Sequence, residues 1–134
     1  MPGRRKARKR AVDILYEADM RSVAPLEVLR DWIARADPPV SEYTDLLVSG
    51  VAENQARIDE LISQYAKDWT LERMPPVDRN IVRIGVYELL WRPDIDPPVA
   101  ISEAVELAKT LSTDDSPRFV NGVLGRMAED SATP

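Results

Sequence analysis

The chain contains no cysteine and no histidine. Their absence excludes a disulfide framework, thiol chemistry, an imidazole base and the usual zinc ligand sets. Its five glycines are scattered over 134 residues, so no glycine-rich phosphate loop is present. No apolar run approaches the roughly 20 residues that a membrane-spanning helix requires, and the protein is expected in the cytosol. No segment alternates apolar and polar residues over a useful length, which argues against strands. Acidic residues are missing from the first twelve positions, the earliest being Asp13.

What occupies that acid-free end is positive charge. Arg4, Arg5, Lys6, Arg8, Lys9 and Arg10 are six of the 18 basic residues. The rest of the chain holds 12 basic residues against 23 acidic ones, and the net charge is −5. This separation concentrates anion binding at one end and repels anions elsewhere. Proline and glycine are absent from Arg4 to Arg21, and Ala7, Ala11, Ile14, Leu15 and Ala18 follow the spacing of one buried helical stripe. The basic run therefore reads as the first turns of a helix anchored in a folded body. Such a fixed comb of cations suits a phosphate backbone. Asp13, Glu17 and Asp19 come too early for an organelle presequence. A nuclear-import signal is the blander alternative.

Further helices are expected in order along the chain. Pro25 suits a first helical turn, with Ala24 at a weak cap, and Leu26, Leu29 and Ile33 form the stripe with Trp32 beside it. Asp37-Pro38-Pro39 ends that helix. Ser41, with Glu42 and Asp45 behind it, opens a third, whose core residues are Leu46, Leu47 and Val51. Ile58, Leu61, Ile62 and Tyr65 form a fourth stripe, either one bent helix with the third or a separate one. Val77 to Trp91 is the strongest helix, with a broad apolar face around Gly85. Pro93, Pro97 and Pro98 bracket a loop, and Ile101, Ala104, Val105, Ala108 and Leu111 form the next stripe. Ser116 as cap and Pro117 at the first position start the last helix, buried through Val120, Val123, Leu124 and Met127. The tail from Ser131 to Pro134 is expected to fray. The fold class is all-α, with about seven helices in a single domain over residues 1–134.

Several blocks carry a family resemblance. Arg5-Lys6-Ala7-Arg8 with Ala11-Val12 and Leu15-Tyr16 resembles the opening of the NusB family of bacterial transcription antitermination factors. So do Pro76-Val77-Asp78-Arg79 leading to Arg83-Ile84-Gly85-Val86-Tyr87-Glu88-Leu89, and the stretch from Ala100 to Lys109. Asp115-Ser116-Pro117-Arg118-Phe119-Val120-Asn121-Gly122-Val123-Leu124 is the most specific block. The resemblance implies two helical subdomains and no catalysis or cofactor. It also implies binding to the boxA element of ribosomal RNA leader transcripts, together with the small-subunit ribosomal protein that doubles as NusE. Other antitermination factors and RNA polymerase would be indirect partners. Whether the chain pairs with itself stays open. The alternatives are a helical protein-interaction module with an incidental basic arm, or a detached RNA-binding domain of an RNA-modifying enzyme. The missing cysteine disfavours the last.

Arg4, Arg5, Lys6, Arg8, Lys9 and Arg10 are the leading candidates for phosphate contact with single-stranded RNA, against a plain solvated face. Phe119 lies at the edge of its helix's apolar stripe, a position more often given to core. The resemblance favours base stacking there, with Asn121 as a polar contact. Arg118 is either a phosphate contact or a surface charge. Asp114 and Asp115 read plainly as helix-capping and dipole-compensating charges, but a carboxylate there would repel RNA, so that Asp115→Asn is expected to raise RNA affinity. Arg5, Lys9, Val12 and Tyr16 share a second helical face, cationic at one end and apolar at the other. From the resemblance, Tyr16, Asp78 and Glu72 are the candidate contacts for the ribosomal protein. Trp32, Trp69 and Trp91 read as packing residues. Glu103 with Glu106, at i and i+3, reads as a solvated face, and neither that pair nor Glu88 suggests a catalytic pocket.

Overall fold

The computed structural model describes residues 2–35, 38–66 and 69–132. Asp37, Thr133 and Pro134, for which a helix stop and a frayed end are expected, lie outside these residues. The described chain forms six helices and no strand: α1 (Pro2–Arg21), α2 (Pro25–Arg35), α3 (Glu42–Tyr65), α4 (Pro76–Trp91), α5 (Pro97–Leu111) and α6 (Ser116–Ala132). The count is six because the third and fourth stripes belong to one helix. Gly50 is a buried mid-helix residue of α3, and no proline interrupts positions 42–65. Pro97 and Pro98, expected in a loop, are instead the first two residues of α5. The missing N–H groups of proline are harmless in a first turn, where nothing would accept their hydrogen.

Two compact units divide the chain, residues 1–54 and 55–134. In the first, Ala7, Ala11, Ile14, Leu15 and Ala18 of α1 are buried as their spacing predicts. Helix α2 buries Val28 and Leu29 while Leu26 and Ile33 of the expected stripe are exposed, and α3 buries Leu47, Val48 and Val51 with Leu46 half-buried. Helix α1 stops at Ser22, whose φ of 55° is left-handed. Backbone N–H groups of Ser22 and Val23 then reach back to the carbonyls of Asp19 and Ala18, satisfying the orphan acceptors of the last turn. Helix α3 opens as expected, the Ser41 hydroxyl accepting the Thr44 N–H at 3.2 Å. The Thr44 hydroxyl donates to the Ala7 carbonyl at 3.0 Å, seating the start of α3 on α1.

In the second unit α4 packs against both α5 and α6, and α5 against α6. Gly85 marks the tightest approach: a Cβ there would lie 2.6 Å from Leu124 Cδ1 and 3.4 Å from the Ala104 methyl. Leu124 is fully buried, so its side chain has little room to retreat. Gly85→Val should therefore lower unfolding stability by about 1–3 kcal/mol through overpacking. Urea denaturation measures this, and an unchanged midpoint would contradict the packing account. The Arg83 guanidinium joins α4 to α3, donating to both Asp59 oxygens at 2.8 and 3.0 Å and to Asn80 at 3.0 Å.

Candidate nucleic-acid interface

Helix α1 carries the cationic run from its third residue onward, and its first turn has no acidic residue. A helix N-terminus bears partial positive charge, so cations there oppose the dipole and weaken the local structure.

The six candidates do not share one environment. Arg5, Lys6 and Lys9 are exposed, and Lys9 makes an i, i+4 ion pair with Asp13 at 2.9 Å. Arg4 is half-buried, with its guanidinium carbon 4.5 Å from the centre of the Tyr43 ring. Arg10 is also half-buried. It donates to the carbonyls of Pro38 and Pro39 at 2.8 and 3.0 Å and lies 5.3 Å from the Trp32 ring. These bonds tie α1 to the segment before α3. Arg8 corrects the sequence expectation outright: it is only 4% exposed and lies 5.7 Å from the Tyr43 ring, so it is an interior residue and no phosphate ligand. The helical wheel carried the signal, because Ala11, Val12 and Leu15, at i+3, i+4 and i+7 from Arg8, are all buried.

The second face is likewise mixed. Val12 is buried, whereas Tyr16 is 38% exposed and Met20, one turn on, is 58% exposed. Beside them Glu17 accepts from the Trp32 indole at 3.1 Å and from Arg21 at 2.8 Å. Those two donors hold the Glu17 carboxyl below the ordinary carboxylate range. Trp32 is thus a packing residue, as expected, but one that touches the basic helix through Arg10, a contact that sequence distance hides.

In the second unit Arg118 and Asn121 are exposed near the start of α6, and Phe119 between them is half-buried. Phe119 meets Trp69 edge to face, ring centres 4.9 Å apart, so the ring is held by packing while part of it faces solvent. Asp115 is exposed, and its carbonyl accepts the Phe119 N–H. Glu72 is exposed in the turn before α4.

Asp78 corrects a second expectation. It is fully buried, and its carboxylate accepts hydrogen bonds from the hydroxyls of Ser112 and, at 2.7 Å, Ser116. A side chain enclosed in this way offers no surface to a protein partner. Ser116, expected as the cap, is instead the first residue of α6, preceded by Asp115, whose carbonyl accepts the Phe119 N–H. The Ser116 hydroxyl donates to Asp78 and joins α6 to α4. Ile81, Val82 and Gly85, at i+3, i+4 and i+7 from Asp78, are all buried, which places Asp78 on the inner face of α4.

No cluster of acidic side chains suited to a metal ion occurs among the described residues. None of the helices they form is long and apolar enough to cross a membrane. A surface cleft of about 380 Å³ is lined by Gln64, Tyr65, Arg126, Glu129 and Asp130. Its polar groups are engaged internally, Tyr65 donating to Asp130 at 2.6 Å and Arg126 to the Tyr65 carbonyl at 2.9 Å. The bond to Asp130 raises the Tyr65 hydroxyl pKa.

Together these features define an all-helical protein with a polycationic first helix and a half-exposed aromatic at the start of its last. The NusB family model matches residues 5–129, and the chain belongs to that family. It is 60% identical over 129 residues to the transcription antitermination protein NusB of Kineococcus radiotolerans, covering 96% of this chain and 95% of that one. The protein of the same name from Salinispora tropica is 61% identical over 132 residues, covering 96% and 97%. Among solved structures, T. maritima NusB superposes with a TM-score of 0.84 at 34% identity, covering 95% of this chain and 91% of that one. A structure of antitermination factors NusB and NusE in complex with double-stranded RNA gives 0.82 at 28% identity, covering 97% and 98%.

Proposed function

We propose that this chain is a non-catalytic transcription antitermination factor of the cytoplasm. It binds boxA RNA of ribosomal RNA leader transcripts together with the small-subunit ribosomal protein that serves as NusE. The whole chain acts as one binding domain, and other antitermination factors and RNA polymerase are reached indirectly. The observation that carries this reading is the exposed Arg5, Lys6 and Lys9 array, carried on α1 against the helix dipole. The family's solved complex with NusE and RNA supports it.

Arg5, Lys6 and Lys9 contact phosphates, and Arg4 stands at the edge of that array. In the second unit Phe119 stacks an unpaired base, Arg118 and Asn121 supply polar contacts, and Asp115 limits affinity by repulsion. Tyr16 and Glu72 are the protein contacts that remain once Asp78 is placed inside the fold. Bound side by side, RNA and protein raise each other's effective concentration.

A titration with boxA-like RNA at two salt concentrations, with and without the ribosomal protein, tests the reading. Binding should weaken steeply with salt and tighten when the protein is added. Salt-independent or absent RNA binding would leave a protein-interaction module. In a pull-down, Tyr16→Asp should lose most of the ribosomal protein; full retention would remove Tyr16 from that interface.

A further inference from the structure

We infer that Trp69 is a positioning residue for RNA: its indole holds the Phe119 ring in the orientation on which an unpaired base stacks. This rests on the functional reading above. Trp69 precedes α4 and Phe119 lies in the first turn of α6, and both are half-buried. Their ring centres are 4.9 Å apart with 62° between the planes. In such an edge-to-face pair the positive edge of one ring meets the negative face of the other.

Two neighbouring residues of α4 bring the rings together. Asp78 accepts the Ser116 hydroxyl at 2.7 Å and so fixes the turn of α6 that carries Phe119. Arg79, next along, donates to the Leu71 carbonyl at 2.9 Å and fixes the turn that follows Trp69. Within that turn the N–H groups of Arg73 and Met74 donate to the Thr70 carbonyl at 3.0 and 3.1 Å, and Met74 is buried. The two aromatic residues thus meet because adjacent positions on one helix hold the segments that bear them.

A base stacks on the face of an aromatic ring, so binding depends on how that ring is oriented. A phenylalanine at a helix start can sample several rotamers, and a base must freeze them on binding. Contact with Trp69 narrows that choice before the ligand arrives, while part of Phe119 still faces solvent. Preorganisation of this kind strengthens binding without a new contact to the ligand.

The test uses the full chain with boxA-like RNA, and a set of the same RNA each carrying one abasic nucleotide. Thermal unfolding is followed in parallel. Phe119→Leu should weaken binding about tenfold, the worth of one stacked base. Trp69→Leu should weaken it by about two- to tenfold, the range for one aromatic pair, and Trp69→Phe, which keeps a ring, should recover most of that loss. In a Phe119→Leu background, Trp69→Leu should change affinity by less than about twofold, because the two rings act as one unit. One abasic position should cost affinity in the wild type, less in Trp69→Leu and nothing in Phe119→Leu. General destabilisation would leave that cost in place.

The inference alone is overturned if Phe119→Leu loses affinity while Trp69→Leu binds as tightly as wild type. It is equally overturned if the effect of Trp69→Leu persists undiminished without Phe119. Should Trp69→Leu not fold, fluorescence decides. The Trp69 emission, read as wild type minus Trp69→Phe, should change with intact RNA and not with RNA abasic at that position; equal changes overturn the inference. Wild-type affinity in Phe119→Leu would remove the stacked base itself, and wild-type protein that binds no RNA would overturn the functional reading, each taking this inference with it.

Discussion

Asp59→Ala is expected to destabilise the second unit by about 3 kcal/mol, the loss typical of breaking a largely buried ion pair from one side. The reason lies with the group left behind. Arg83 has a side chain only 8% exposed, and Asp59, 26% exposed, takes its Nε and Nη2 hydrogens in a two-pronged bond. Without the carboxylate, a guanidinium stays in the interior with Asn80 beside it, and the hydrogens it gave to Asp59 lose that acceptor. Removing both charges at once, in Asp59→Leu with Arg83→Met, should recover much of the loss, because the desolvated cation goes too. Urea denaturation of the two variants and the wild type measures both terms. A loss below about 0.5 kcal/mol for Asp59→Ala would show the pair to be dispensable, as exposed pairs usually are.

Reversing two charges, Arg5→Glu with Lys6→Glu, should reduce RNA affinity roughly 100-fold at low salt, if each cation supplies a charge-assisted contact of about 1.5 kcal/mol. The slope of log affinity against log salt should fall by about 1.4, two contacts at about 0.7 each for a single strand. Folding is expected to survive, and even to improve slightly. Both side chains are exposed, and an acidic residue near the start of α1 complements the dipole that the native cations oppose. Opposite changes in stability and binding distinguish a binding device from a structural feature. Circular dichroism melts and the RNA titration together supply the check. If affinity and salt slope both stay at the wild-type values, phosphate contact does not occur at these positions.

The helical stripes were legible because period 3.6 is written directly in the apolar residues: every position marked in α1 and α6 is buried, whereas in α5 Ala104 and Ala108 are buried and Ile101, Val105 and Leu111 are half-buried. Continuity of α3 was harder to read, since a glycine in a helix can mark a break or a close approach, and only the backbone around Gly50 decides. Charged residues on inner faces were misread for a different reason. Arg8 lies in a run of cations and Asp78 at a helix start, and both types are ordinarily solvated in such places. Their interior positions follow from partners far along the chain: Tyr43 for Arg8, and Ser112 with Ser116 for Asp78. The partners themselves leave no local trace, although the wheel positions of Arg8 and Asp78, each followed by apolar or small residues at i+3, i+4 and i+7, point inward. Exposure of Arg5, Lys6 and Lys9 was legible for the converse reason, their wheel positions falling outside the stripe.

The buried carboxylate at the head of α4 bears on how loss-of-function variants in this chain are interpreted. Through Ser116 it anchors the root of the helix that presents Arg118, Phe119 and Asn121. A substitution at Asp78 that weakened a partner's grip would act as a shift of that scaffold, transmitted from inside the protein. Mapping contacts from such a variant alone would draw the recognition surface in the wrong place.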